Sequence, residues 1–233
     1  MIETFLVSRD DSIYEAFPDV ALGPSGRLVC VFAECNHHHD RSYTRIMLTD
    51  STDRGRSWSP KRPLTDPLRC EGNAGPFWNC PRISTLADGR LAAVVDRVAA
   101  RPEGKDGSDA GEQSNWLMLS EDEGVTWTDP RAIPVEGIVP DQLVELRLGP
   151  HAGRWIGSAH TKIDGLWQER CWLSDDRGES WSGPVTIAAE EGLKLCEGSV
   201  VELPGGELAC FLRENSFDGR DAYKSLSLDG GVT

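Results

Sequence analysis

The chain has 233 residues, 39% hydrophobic and 27% charged, a balance that supports a packed core in one or two ordinary domains. Its formal net charge of −14 argues against a nucleic-acid partner or an anionic membrane surface, which would need clustered Lys and Arg. No apolar run approaches the roughly 18 residues that a membrane-spanning helix requires.

Residues 1–10 carry no basic stretch and only a short apolar patch, so they do not read as a signal peptide. The seven cysteines, at 30, 35, 70, 80, 171, 196 and 210, are odd in number and include no C-x-x-C pair. Together these features predict reduced thiols and a cytoplasmic location.

The first predicted unit runs over residues 11–65. A short apolar segment at 17–22 precedes a turn, Gly26-Arg27-Leu28, and a second strand that ends at Glu34. A polar loop with His37-His38-His39-Asp40 leads to a third strand around Ile46-Met47-Leu48. Then comes Ser51-Thr52-Asp53-Arg54-Gly55-Arg56-Ser57-Trp58. The same order recurs over 66–134, 135–190 and 191–233. Its Gly turns are Gly89-Arg90-Leu91, Gly153-Arg154-Trp155 and Gly206-Glu207-Leu208. Its boxes are Ser120-Glu121-Asp122-Glu123-Gly124-Val125-Thr126-Trp127, Ser174-Asp175-Asp176-Arg177-Gly178-Glu179-Ser180-Trp181 and Ser227-Leu228-Asp229-Gly230-Gly231-Val232-Thr233. The strands are short, alternate apolar with polar and are rich in Val, Ile, Leu and aromatics. Radial repetition of such four-stranded antiparallel units predicts an all-β fold, a β-propeller, as one domain over 1–233. The fourth box stops one residue before its Trp. That predicts about four blades of a longer ring, with residues 4–7 as the outer strand of its final blade.

The box pattern, S-x-D-x-G-x-[ST]-W, has an architectural explanation. Gly supplies the positive φ of a tight turn, Asp accepts turn N–H groups, and Trp wedges against neighbouring strands. A calcium loop would need an acidic series at positions 1, 3 and 5 and a Glu at 12, which no copy has.

In an up-and-down blade, the Gly turns and boxes share one face, and the loops between second and third strands share the other. The second face is where a pocket forms. It gathers Glu34, the His37-His38-His39-Asp40 run, Asn79, Asp96-Arg97, the polar loop from Arg101 to Gln113, His160, Glu197 and Arg213. Charges that end apolar strands are either paired or used, and a ring of structural salt bridges around the channel accounts for them as well as a site does. The three histidines read as a solvated loop rather than a metal centre, since consecutive strand residues point to opposite sides. No metal or cofactor is expected.

The box is identified as the Asp-box, or bacterial neuraminidase repeat, and the chain resembles the N-terminal two-thirds of a six-bladed sialidase-type propeller. The resemblance rests on residues 28–34 followed by Asp40, on Asn79-Cys80-Pro81, and on Cys196-Glu197-Gly198-Ser199-Val200-Val201-Glu202-Leu203 followed by Arg213. It implies retaining cleavage of a terminal, acidic sugar from a glycoconjugate, with a Tyr nucleophile. Glu197 would act as base toward that Tyr, Asp40 as acid/base, and Arg213 as carboxylate clamp. Arg82, Arg97, Glu34, His160 and Asn79 would line the substrate site. The family's first-blade Arg-Ile-Pro is Ala16-Phe17-Pro18 here, and none of Tyr14, Tyr43 and Tyr223 matches the nucleophile. Tyr and the third Arg are expected beyond Thr233, so the 233 residues alone should be inactive. The competing expectation is a non-catalytic carbohydrate-binding or scaffolding propeller.

Overall fold

The computed structural model describes residues 2–72, 74–99 and 112–233. They form four separate antiparallel sheets arranged as consecutive blades of a β-propeller. Blade 1 holds β1 (Tyr14–Leu22), β2 (Leu28–His37) and β3 (Asp40–Ser51). The short β4 (Arg62–Pro63) and β5 (Leu68–Arg69) both pair with β3. Blade 2 holds β6 (Phe77–Thr85), β7 (Leu91–Val98), β8 (Gln113–Ser120) and β9 (Arg131–Ile133). Blade 3 holds β10 (Val144–Glu145), β11 (Trp155–Ile163), β12 (Leu166–Ser174) and β13 (Ser182–Ala189). Blade 4 holds β14 (Leu195–Glu202), β15 (Leu208–Glu214) and β16 (Tyr223–Ser227). Each sheet is a meander in chain order apart from the divided outer edge of blade 1.

The apolar core lies between blades. One cluster joins Leu86, Val94 and Leu117 of blade 2 to Leu143, Trp155 and Trp172 of blade 3. Others join Val29, Val31 and Leu48 of blade 1 to Ile83 and Leu91, and Ile156 and Leu173 of blade 3 to Leu208. A four-stranded sheet alone buries too little, so each blade is stabilised mainly by its neighbours.

Gly26, Gly89, Gly153 and Gly206 all sit near φ +90° in the turn between first and second strands. In the third box, Ser174 Oγ donates to Asp176 Oδ1 at 2.8 Å and accepts the Gly178 N–H at 2.7 Å. Asp176 also accepts the N–H and hydroxyl of Ser180, and Trp181 Nε1 donates to the Gly178 carbonyl. Bonds to Ser or Thr hydroxyls, foremost, hold Asp53, Asp122 and Asp176 down at about 2. The residue before Gly is also left-handed, Arg177 at φ +60° and Gly178 at +84°. The boxes and Gly turns do share a face: Glu123 of the second box accepts the N–H and hydroxyl of Ser25 in the first Gly turn.

Three expected strands differ. Residues 4–7 form no strand among the described residues, and the blade they were expected to complete lies outside this sequence. The outer strand of blade 1 divides because the Leu64 and Thr65 N–H groups both converge on the Ile46 carbonyl, which forces a local kink after Pro63. The first strand of blade 3 pairs only at Val144–Glu145, with isolated bonds from Ile138 to His160 and from the Asp141 N–H to Ser158. Val139 is left-handed (φ +49°) and Pro140 has no N–H, so continuous pairing there is blocked.

Candidate active site

The innermost strands share an interruption. Register shifts fall between Ala16 and Asp19 in β1, between Trp78 and Pro81 in β6, and between Cys196 and Ser199 in β14. Phe17, Val139 and Glu197 occupy the left-handed region at φ +55°, +49° and +51°. A bulge turns side chains away from the ladder and leaves backbone N–H groups without ladder partners.

Side chains of neighbouring strands satisfy some of those groups and also backbone groups on the open edges of the innermost strands. Asp19 accepts the Ile83 N–H from blade 2 at 2.9 Å, and Asp141 accepts the Val200 N–H from blade 4 at 2.6 Å. At the matching position in blade 2, Arg82 Nε donates to the Pro140 carbonyl at 3.1 Å. Asp96, fully buried on β7, accepts from Asn79 Nδ2, the Cys80 N–H and the Val139 N–H at 2.9, 2.7 and 3.0 Å. Burial pushes the Asp96 and Asp141 carboxyls up, Asp141 to about 6.

On blade 4, Arg213 Nη1 donates to both oxygens of Glu197, at 3.1 and 2.9 Å. Their side chains remain 46% and 34% accessible, so this pair faces solvent while joining two neighbouring strands. Hydrogen bonding to Glu197 raises the Arg213 guanidinium above its ordinary value. His160, nearly buried on β11, accepts the Glu197 N–H at Nδ1, 3.3 Å away, and stacks on Trp167 at 5.6 Å. Burial raises the Cys80 thiol well above its ordinary value, and Asp96, Arg41, Arg82 and Glu197 all act on it electrostatically. Groups from blades 1, 2 and 4 thus converge around the β6 bulge.

Asp40 begins β3 at the exposed β2–β3 hairpin. Its Oδ1 accepts the Ser42 hydroxyl at 2.5 Å and N–H at 3.0 Å, and Asn36 Nδ2 lies 3.5 Å from Oδ2. The Ser42 hydroxyl, first among these, lowers the Asp40 carboxyl below its ordinary range. The three histidines pack as rings, His37 5.9 Å from Tyr14 and His38 6.0 Å from Phe17. Among the described residues, no group of three His, Cys, Asp or Glu could hold a metal ion.

Two sequence candidates sit elsewhere. Glu34 accepts from Tyr43 Oη at 2.8 Å and from Lys61 Nζ at 2.9 Å, and Lys61 also binds Asp10 and Glu15. These bonds make a local ion cluster of blade 1. Arg97 follows Asp96 on β7, so it faces the opposite side. There it lies over Trp116 at 5.7 Å, in a groove with Trp78 and Trp127 between blades 1 and 2. The polar loop expected from Arg101 falls outside the described residues, apart from its last two positions.

The sequence reading missed Asp19, Asp141 and Glu169. The first two follow a Pro in matching units, Phe17-Pro18-Asp19 and Val139-Pro140-Asp141, which was the available signal. Glu169 shares a strand face with Trp167 and Cys171, and a charge on an apolar face was its signal. Arg41 follows Asp40 in the same polar stretch. It is buried, donates to Cys35 Sγ and the His38 carbonyl, and lies over Phe17 and Phe77.

The sequence matches the BNR repeat-like domain family over residues 26–233. It is 28% identical over 207 residues to a sialidase from Micromonospora viridifaciens, covering 80% of this chain and 30% of that protein. Among solved structures, the leech intramolecular trans-sialidase complexed with 2,7-anhydro-Neu5Ac superposes with a TM-score of 0.75 at 16% identity. The match covers 98% of this chain and 51% of that one. A protein of unknown function from Dyadobacter fermentans gives 0.74 at 21% identity, covering 97% of this chain and 69% of that one. The chain therefore spans under a third of the curated sialidase and about half of the leech enzyme. These likenesses establish the blade architecture and leave the chemistry to the site.

Proposed function

The chain belongs to the BNR repeat-like domain family, and on that footing we propose that it carries part of the active site of a retaining, sialidase-like glycoside hydrolase. The substrate would be a terminal acidic sugar on a glycoconjugate. The observation that carries this reading is the solvent-facing Glu197–Arg213 pair, built on a strained bulge of an innermost strand. Left-handed conformation at a non-glycine residue costs roughly 1–3 kcal/mol and persists where the surroundings over-determine it, often at functional sites.

In this reading, Glu197 withdraws the proton from a tyrosine nucleophile, and Arg213 holds both that carboxylate and the substrate carboxylate with its planar fork. Asp40 protonates the leaving glycosidic oxygen and then activates water. In its present hydrogen bonds Asp40 is a carboxylate, so protonation accompanies displacement of the Ser42 contacts when substrate reaches the hairpin. Tyr43 is bonded to Glu34 within the Lys61 ion cluster rather than to Glu197, and burial first and then that bond raise its phenol. Asp40→Ala and Glu197→Gln should each lower turnover of a fluorogenic sialoside by at least about a hundredfold in the full-length protein, with folding preserved. Unchanged hydrolysis in both variants sinks the assignment.

A second reading is favoured by Ala16, which stands where the resembling family has its first arginine, and by the engagement of Arg213 Nη1 with Glu197. A propeller that binds glycans without cleaving them would show binding on a glycan array and no turnover on any fluorogenic glycoside.

A further inference from the structure

Glu197 lies in a bulge whose ladder is broken between Cys196 and Ser199, so the Glu197 and Gly198 N–H groups have no partner on β15. Both are satisfied from blade 3. His160 Nδ1 accepts the Glu197 N–H at 3.3 Å, and Glu169 Oε2 accepts the Gly198 N–H at 3.0 Å. His160 and Glu169 are register partners across β11 and β12, so two adjacent side chains of one blade take two consecutive N–H groups of the next. The approach is close. A Cβ on residue 198 would lie 2.8 Å from Glu169 Cδ and 2.9 Å from Cys210 Sγ, so only glycine permits it.

We propose that His160 and Glu169 are positioning residues for Glu197, fixing its left-handed backbone and tuning its charge across the boundary between blades 3 and 4. The inference rests on the reading of Glu197 as the base of the proposed reaction. Glu169 has no accessible surface and its Oε1 has no hydrogen-bond partner among the described residues. A buried carboxylate with one bare oxygen is costly, whereas the neutral acid carries no charge and still accepts the Gly198 N–H through its other oxygen. Burial accordingly pushes Glu169 up to about 8, with Asp141 and Glu197 adding to the rise. The groups facing it are His160 on β11, Asp141 ahead of β10, Cys171 on β12 itself, Cys196 and Glu197 on β14, and Cys210 on β15. His160 accepts at Nδ1, so a neutral imidazole there carries its proton on Nε2. Glu169 thus stays neutral while Glu197 works as a carboxylate, and ionisation of Glu169 would place a second negative charge behind it.

The test does not depend on turnover. In full-length protein with 13C-labelled glutamate, the Glu197 carboxyl should show a second inflection near the pH at which Glu169 ionises. Glu169→Gln, which keeps an acceptor for Gly198, should abolish that inflection and leave amide protection unchanged. Glu169→Ala and His160→Ala should speed hydrogen exchange at residues 197–198 by at least about tenfold. An identical Glu197 titration in Glu169→Gln overturns the tuning role, and unchanged exchange in both alanine variants overturns the positioning role. If an alanine variant does not fold, the Glu169→Gln titration still decides. A protein with the predicted coupling but no glycosidase activity in the wild type would leave this inference standing and remove the proposed function instead.

Discussion

Gln142 of blade 3 donates its side-chain amide to both carboxylate oxygens of Asp19 in blade 1, at 3.1 and 3.0 Å. Asp19 Oδ2 also accepts the Ile83 N–H of blade 2, so one carboxylate ties three blades together. Asp19→Ala should cost roughly 2–3 kcal/mol, because it strands the Ile83 N–H as well as Gln142. Gln142→Ala should cost about 1 kcal/mol, and a double-mutant cycle in urea should return a coupling of at least about 0.5 kcal/mol. Strict additivity would show that the contact contributes nothing.

Glu169 makes stability depend on pH in an unusual direction for a carboxyl group. Its ordinary value is 4.5 and burial raises it to about 8 in the folded protein. The native state therefore binds more protons than the unfolded chain between those values, and stability falls as pH rises through that window. Glu169→Gln should flatten the fall, with a gain on the order of a few kcal/mol at pH 8–9. Thermal melts of both proteins at pH 5 and pH 8.5 check this, and parallel shifts would contradict it.

Ser42 should set the alkaline limit of activity under the proposed mechanism. Its hydroxyl stabilises the Asp40 carboxylate, so Ser42→Ala raises the Asp40 carboxyl toward its ordinary value. A general acid works only while protonated, so the alkaline limb of kcat/KM should move to higher pH. A shift to lower pH, or none, would remove Asp40 from that role.

The box turns should fail in two separable ways. Gly178→Ala puts a Cβ 2.9 Å from Arg131 Nη2 and 3.0 Å from Trp155 at φ +84°, and should cost about 1–3 kcal/mol in urea titrations. Acid acts on the aspartates instead. Asp53, Asp122 and Asp176 titrate at about 2 when folded, below their ordinary 3.8, so their contribution is present above that value and lost as pH falls toward 2. The melting temperature of Asp176→Asn should vary less between pH 4 and pH 2 than that of the unmodified chain.

The blade repeat was legible because its cause is local. The φ of Gly178, the acceptors of Asp176 and the plate of Trp181 all act within eight residues, and every copy repeats the chemistry. Glu197 and Arg213 were singled out through the resemblance, and their pairing follows from the register Cys196↔Arg213 of two strands joined by one turn. What escaped the sequence was lateral. Asp141 reaches Val200 and Glu169 reaches Gly198 across blade boundaries, and no spacing rule within a unit reveals a bond between units. Arg97 shows the complementary error: alternation along β7 sends Asp96 to the bulges and Arg97 to a tryptophan groove, and the sequence did not say which side faced the axis.

The bulge acceptors also bear on how such a ring diverges. Because Val139 depends on Asp96 of the preceding blade, and Glu197 and Gly198 on blade 3, a blade is not a self-contained cassette. Transplanting blade 4 into another propeller would carry Glu197 and Arg213 but leave behind the side chains that hold their backbone. Recombination that preserves the candidate site must exchange adjacent blades as pairs, and a grafted blade 4 should need its upstream neighbour to recover its shape.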